Sequence, residues 1–300
     1  IKYSEIGEFI MKKVGYFFSA FLPLILAVII QFAASLFLMG CTVMAFMIRN
    51  PKESSPIETL YDLMLNADFS TIIMIIYAII CIAVFGMWYY HSLGGVYLPN
   101  VKRTFSIRQL TGVVLLVPGM QFFSSYLIGV VSMAFPQWLD QYEELLKTAG
   151  LDSSITLPML LYSVLLAPVC EELIFRGTTM HLARKAVPFW LANVMQAFLF
   201  GLFHMNWIQG IYAFALGLVL GYVCEKGGSI YYSIFLHFLF NFWGTVISNA
   251  LAGMESTVLL SVIMLVVTIV SLTLGLFLFV SGTRIKKERN DADDAAAALS

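Results

Sequence analysis

Charge is what this chain has least of. Only 12% of its 300 residues are Asp, Glu, Lys or Arg, and 60% are hydrophobic. Soluble domains carry roughly twice that share of charge. With a mean hydropathy of +0.87 there are too few polar side chains to cover a core in water. That excludes a soluble globular enzyme, a disordered chain and a coiled coil. The net charge of −1 and the lack of a basic stripe exclude a nucleic-acid partner. Cysteine is scarce too: Cys41, Cys81, Cys170 and Cys224 are scattered, with no CxxC pair. A disulfide framework or a thiolate zinc site therefore has no basis. Neither an HExxH pair nor an internal repeat is present.

What remains is an all-α polytopic integral membrane protein. Crossing about 30 Å of hydrocarbon takes roughly 20 apolar residues. About eight runs qualify as transmembrane helices, near 23–48, 71–90, 110–135, 156–180, 187–205, 207–224, 229–250 and 257–280. Residues 5–22 read as an interfacial segment leading into the first span. Four parts follow: a transmembrane region with interfacial segments over 1–154, a core over 155–250, a last transmembrane helix over 251–282 and a polar tail over 283–300, which is expected to fray from Arg284.

Lys and Arg set the orientation. With the N-terminus inside, the inner segments carry Lys2, Lys12, Lys13, Lys102, Arg103, Arg108, Arg176, Arg184, Lys185, Lys226, Arg284, Lys286, Lys287 and Arg289. The outer loops carry Arg49, Lys52 and Lys147 alone. Both termini are expected in the cytoplasm, and a bacterial cell membrane is the expected location. Two outer segments read as surface helices, or less readily as substrate lids. One starts at Ser55-Pro56-Ile57-Glu58, a capping box, with Leu60, Tyr61 and Met64 following. The other runs from Gln137 to Gly150, setting Trp138, Tyr142, Leu145 and Leu146 against Asp140, Glu143 and Glu144. Trp88, Tyr89, Tyr90, Tyr231 and Tyr232 read as interfacial belts, and Ala213, Gly217 and Gly221 as a stripe for close helix packing.

Ionisable groups inside spans carry the functional signal, since each costs about 2.5–3.5 kcal/mol near a helix centre. The fourth span holds three, in Cys170-Glu171-Glu172-Leu173-Ile174-Phe175-Arg176. Glu172 and Arg176 lie four apart on one face, in the favourable order for an ion pair. Glu171, turned about 100° away, is left to do something else. Pro168 cannot donate to the carbonyl of Val164, which predicts a kink and a free acceptor beside the carboxylates. His204 follows Phe200 by four, and His237 precedes Asn241 by four. A metal site built from Glu171, His204 and His237 is one reading, with zinc as the ion; direct activation of water is the other. Counting about 1.5 Å per residue from Lys185 puts His204 nearly across the bilayer. Glu171 and His237 come nearer its middle, so the fifth helix must start late and tilt, or the outer surface must dip.

The ordered set EExxxR, FxxxH and HxxxN resembles the CPBP family, the CAAX proteases and bacteriocin-processing intramembrane proteases. That family includes the type 2 CAAX prenyl endopeptidase and lysostaphin-resistance-like proteins. The likeness covers residues 155–250. It implies hydrolysis of membrane-associated peptides or lipidated proteins, with Glu171 and His204 activating water and His237 and Asn241 at the oxyanion. Glu172, Arg176 and Phe200 would support them, with no metal favoured. Two other functions fit the same residues: a non-proteolytic scaffold or regulator binding a membrane-protein partner, and a proton-coupled transporter using Glu171.

Overall fold

The computed structural model describes residues 3–50, 57–59, 61, 67–92, 104–148, 155–248 and 257–299. Every regular element among the described residues is helical. The proposed box at Ser55 and Pro56, with Leu60 and Met64, lies outside the described residues.

Helix α1 (Tyr3–Ser19) is set off from α2 (Leu22–Arg49) by a turn at Ala20 and Phe21, where Pro23 stands in the first turn of α2. Then come α3 (Ala67–Ser92), α4 (Ile107–Ala134) and, after the single residue Phe135, α5 (Pro136–Thr148). Helix α6 (Leu157–Ala186) carries the acidic motif. The short α7 (Phe189–Phe203) pairs with α8 (Trp207–Gly227), and α9 (Ile230–Phe242) and α10 (Val258–Leu299) complete the chain.

Among the described residues seven helical stretches are long and apolar enough to cross a membrane, and the protein is an integral membrane protein. The expected eighth, at 187–205, is only the fifteen residues of α7. Its late start has a local cause: Val187 and Pro188 are extended, with ψ near 160°, so the helix begins at Phe189. At about 1.5 Å per residue it rises about 22 Å. It nonetheless joins the two ends of the bundle. At one end Arg184 pairs with Glu225 at 3.1 Å. At the other, the turn after α7 meets the far end of α4 and α5, where Trp138 stacks on Trp207 at 5.3 Å.

Close approach of α7 and α8 rests on glycine. A Cβ on Gly201 would lie 2.6 Å from the Gly210 carbonyl oxygen. The tail, expected to fray, is instead helical to Leu299. Alanine has the highest helix propensity, and Lys286 Nζ ties the helix down by donating to the carbonyls of Gly227 at 2.6 Å and Thr104 at 3.1 Å. Tyr232 is likewise no belt residue. It is fully buried, its hydroxyl bonded to the Thr104 carbonyl and Gln109 Oε1. In α5, Trp138, Tyr142 and Leu146 are half-buried as expected, but Leu145 is exposed, since it falls on the acidic face.

Candidate active site

The acidic motif sits in an unusual stretch of helix. Two wide π turns, Tyr162–Leu166 and Leu173–Met180, flank the regular segment Ala167–Glu172. Pro168 is accommodated by this widening, which changes the acceptor it frees. In the π register the Ala167 N–H bonds to the Tyr162 carbonyl, and the donor due to Ser163 would be residue 168. Proline has none. Thus the carbonyl left open is Ser163, one residue earlier than α-helical counting gave, and Asn241 Nδ2 donates to it at 2.8 Å.

Glu172 and Arg176 form the ion pair that their spacing predicted. Both side chains are fully buried, with Arg176 Nη1 donating to Glu172 Oε1 at 2.8 Å. Arg176 Nη2 reaches the Gly217 carbonyl at 3.3 Å, and the guanidinium lies 4.6 Å over the Phe200 ring. The same Glu172 oxygen meets His237 Nδ1 at 2.9 Å. A carboxylate oxygen accepts, so Nδ1 carries the proton there. That turns His237 Nε2 towards Glu171, whose Oε2 lies 3.6 Å away. Such a separation is long for a direct hydrogen bond and too short for a water between the two atoms. Glu171 is the less enclosed acid, its side chain 13% exposed where that of Glu172 is 0%.

His204 caps the end of α7. Its Nδ1 lies 2.8 Å from the Phe200 carbonyl, an acceptor only, so Nδ1 is the protonated nitrogen and Nε2 keeps its lone pair. The two imidazoles flank one ring: His204 and His237 stand edge-on to Phe200, at 4.9 and 5.7 Å. Glu171, Glu172, Arg176, Phe200, His204 and His237 are thus gathered around one place. Asn241 bonds instead to the Ser163 carbonyl. Among the described residues no three His, Cys, Asp or Glu side chains are grouped as metal ligands.

Two supporting carboxamides, Asn193 and Gln196, escaped the sequence reading, while Gln121, expected with Pro118 and Gly119 to mark a kink or cavity wall, supports the main chain beside Asn241. Gln196 Nε2 donates to Asn193 Oδ1 at 2.7 Å and to the Gly217 carbonyl at 2.9 Å, the oxygen Arg176 also uses. Asn193 Nδ2 donates to the Leu218 carbonyl. Gly217 packs on Ala197 as a close-packing stripe should, but Gly221 leaves room for something else. A Cβ there would lie 1.9 Å from Asn193 Oδ1 and 2.6 Å from Gln196 Nε2. From α4, Gln121 donates to the Phe240 carbonyl, fixing the main chain just before Asn241. Polar side chains on the fifteen-residue apolar helix were the signal that would have found Asn193 and Gln196.

Residues 153–243 match the family described as type II CAAX prenyl endopeptidase Rce1-like. The matched segment is under a third of the chain and contains all seven motif residues, in agreement with the resemblance read from them. It supports a CAAX-type intramembrane endopeptidase in general. No curated protein and no solved structure matches the chain.

Proposed function

We propose that this protein is an intramembrane endopeptidase that hydrolyses peptide bonds of membrane-associated peptides or lipidated proteins. One observation supports the reading: Glu172 is committed to Arg176 and His237, while Glu171, the less enclosed acid, lies 3.6 Å from His237 Nε2. In this reading Glu171 and the free Nε2 of His204 hold a water. The water oxygen bonds to the substrate carbonyl carbon as Glu171 takes its proton. The second N–H of Asn241 faces the oxygen on which charge develops, and His237, whose Nδ1–H is held by Glu172, joins it as a donor only when Nε2 is protonated as well. Collapse breaks the carbon–nitrogen bond, and Glu171 returns its proton to the departing amine. Glu172 and Arg176 keep His237 in its tautomer, and Phe200 spaces the two imidazoles. No metal is required by this sequence of steps; zinc on Glu171, His204 and His237 is the competing mechanism.

Both termini lie in the cytoplasm in this reading. Seven crossings would put them on opposite sides, so the short α7 must count as an eighth. The Trp138–Trp207 contact, which brings the α7–α8 turn to the far end of α4, supports that parity.

The test is comparative peptidomics of membranes carrying the wild type, Glu171→Gln or His204→Ala, with insertion verified for each. Peptides that appear only with the wild type are expected. Identical peptidomes with a preserved cellular phenotype would sink the protease and favour a scaffold that binds a membrane-protein partner.

A further inference from the structure

Two carboxamides buried between α7 and α8 end on the same oxygen as the buried ion pair. Asn193 and Gln196 lie one turn apart on α7 and are 1% and 0% exposed. Gln196 Nε2 donates to Asn193 Oδ1 at 2.7 Å and to the Gly217 carbonyl at 2.9 Å. Asn193 Nδ2 in turn donates to the Leu218 carbonyl at 3.0 Å, so the pair is tied to two successive residues of α8. Gly221 makes room for them, because a Cβ there would stand 1.9 Å from Asn193 Oδ1. The small-residue stripe on α8 therefore serves more than helix packing.

Arg176 Nη2 reaches the same Gly217 oxygen at the longer distance of 3.3 Å, while its Nη1 bonds to Glu172 Oε1 at 2.8 Å. The Phe200 ring, 4.6 Å from the guanidinium, blocks movement on one face. The fork is thus shared between a carbonyl on one side and a carboxylate on the other. A carbonyl oxygen has two lone pairs, and Gln196 holds the shorter bond to this one. Glu172 Oε1 also receives His237 Nδ1 at 2.9 Å. An unbroken line of hydrogen bonds runs from Asn193 through Gln196, Gly217, Arg176 and Glu172 to His237.

We propose that Gln196 is a positioning residue for His237. By occupying the Gly217 carbonyl it holds Arg176 against Glu172. That sets how much of the Glu172 charge is left to draw on the His237 Nδ1 proton. Without Gln196 the guanidinium slides towards Gly217, the carboxylate is less compensated, and its hydrogen bond from His237 strengthens. The consequence for turnover rests on the endopeptidase reading, whereas the effect on His237 does not.

The experiment uses the full chain in lipid nanodiscs, with its histidines labelled for NMR. The Nδ1–H proton of His237 is assigned as the signal lost in His237→Gln. Gln196→Met keeps the length of the side chain and removes its donors, and is expected to move that proton downfield. Asn193→Ala leaves Gln196 on Gly217 without its second anchor, and is expected to move the proton the same way by less. Leu182→Ala is the control, since Leu182 packs in a separate apolar cluster with Ala20 and Met180. It should cost stability and leave the His237 proton in place. With a cleavable peptide, Gln196→Met is expected to lower kcat about tenfold, with KM within about twofold, as for loss of one buried hydrogen bond. An unmoved or upfield proton in Gln196→Met overturns the inference, as does an equal shift in Leu182→Ala. If Gln196→Met does not fold, Asn193→Ala decides by the same signal: a downfield shift supports the inference and any other result overturns it. Equal turnover by wild type and Glu171→Gln overturns the endopeptidase reading instead, and the His237 signal still decides the role of Gln196.

Discussion

The side-chain amide of Asn241 occupies the main-chain carbonyl of Ser163, seventy-eight residues away in the chain, at 2.8 Å. That carbonyl is open to it because residue 168, just after a π turn, is a proline with no N–H to donate. The bond orients Asn241 while leaving its second N–H available.

Replacing Pro168 with Ala supplies the missing donor and sets it in competition with Asn241. Turnover should fall about tenfold while the fold is kept, the loss expected when one hydrogen bond is redirected. Asn241→Ala should cost about 10²–10³ in kcat, and Asn241→Asp about as much, because a carboxylate cannot donate to Ser163. Steady-state cleavage of a reporter peptide with folding checked by thermal unfolding measures both.

Arg176→Met leaves the Glu172 charge buried without its partner. A loss of about 3–5 kcal/mol in unfolding free energy is expected. Arg176→Lys should not restore it, since one ammonium cannot serve Glu172 and the Gly217 carbonyl together in the geometry of a guanidinium fork. Denaturation of the purified protein in mixed micelles provides the number.

Gly221→Ala drives a methyl group into Asn193 and Gln196. Destabilisation of about 1–3 kcal/mol is expected, typical of overpacking. Adding Asn193→Ala removes the nearest obstacle and should recover part of it. Full recovery of wild-type stability by Gly221→Ala alone would mean that the two carboxamides have somewhere else to go.

Dialysis against a strong chelator should leave turnover unchanged. Loss of turnover that zinc restores would instead assign Glu171, His204 and His237 as ligands and return the mechanism to a metal-bound water.

The Glu172–Arg176 pair was legible because i,i+4 spacing is a property of the sequence itself, and the order of the three motifs carried the family likeness. The widened turns were not. A π turn shifts hydrogen-bond register by one residue and leaves no trace in hydropathy, so Val164 stood where Ser163 belongs. Span length was misjudged at 187–205 because apolar composition continues through Val187 and Pro188 although the helix does not. Tyr232 illustrates a different limit: an aromatic near a span end looks interfacial whether it meets lipid headgroups or, as here, the main chain of a distant segment. Contacts such as Gln196 with Gly217 depend on how two helices are rotated against each other, which no single-helix pattern encodes.

Helix α7 stops after fifteen residues where the membrane spans among the described residues run to eighteen or more, and its closing turn holds Met205, 93% exposed, at φ 52°. The flank of the protein is therefore notched beside His204 and the rest of the proposed site. Lipids next to the notch must shorten, splay or tilt to meet it, at a cost that grows with bilayer thickness. If the proposed site is active, acyl-chain length is expected to control its turnover without touching a single side chain.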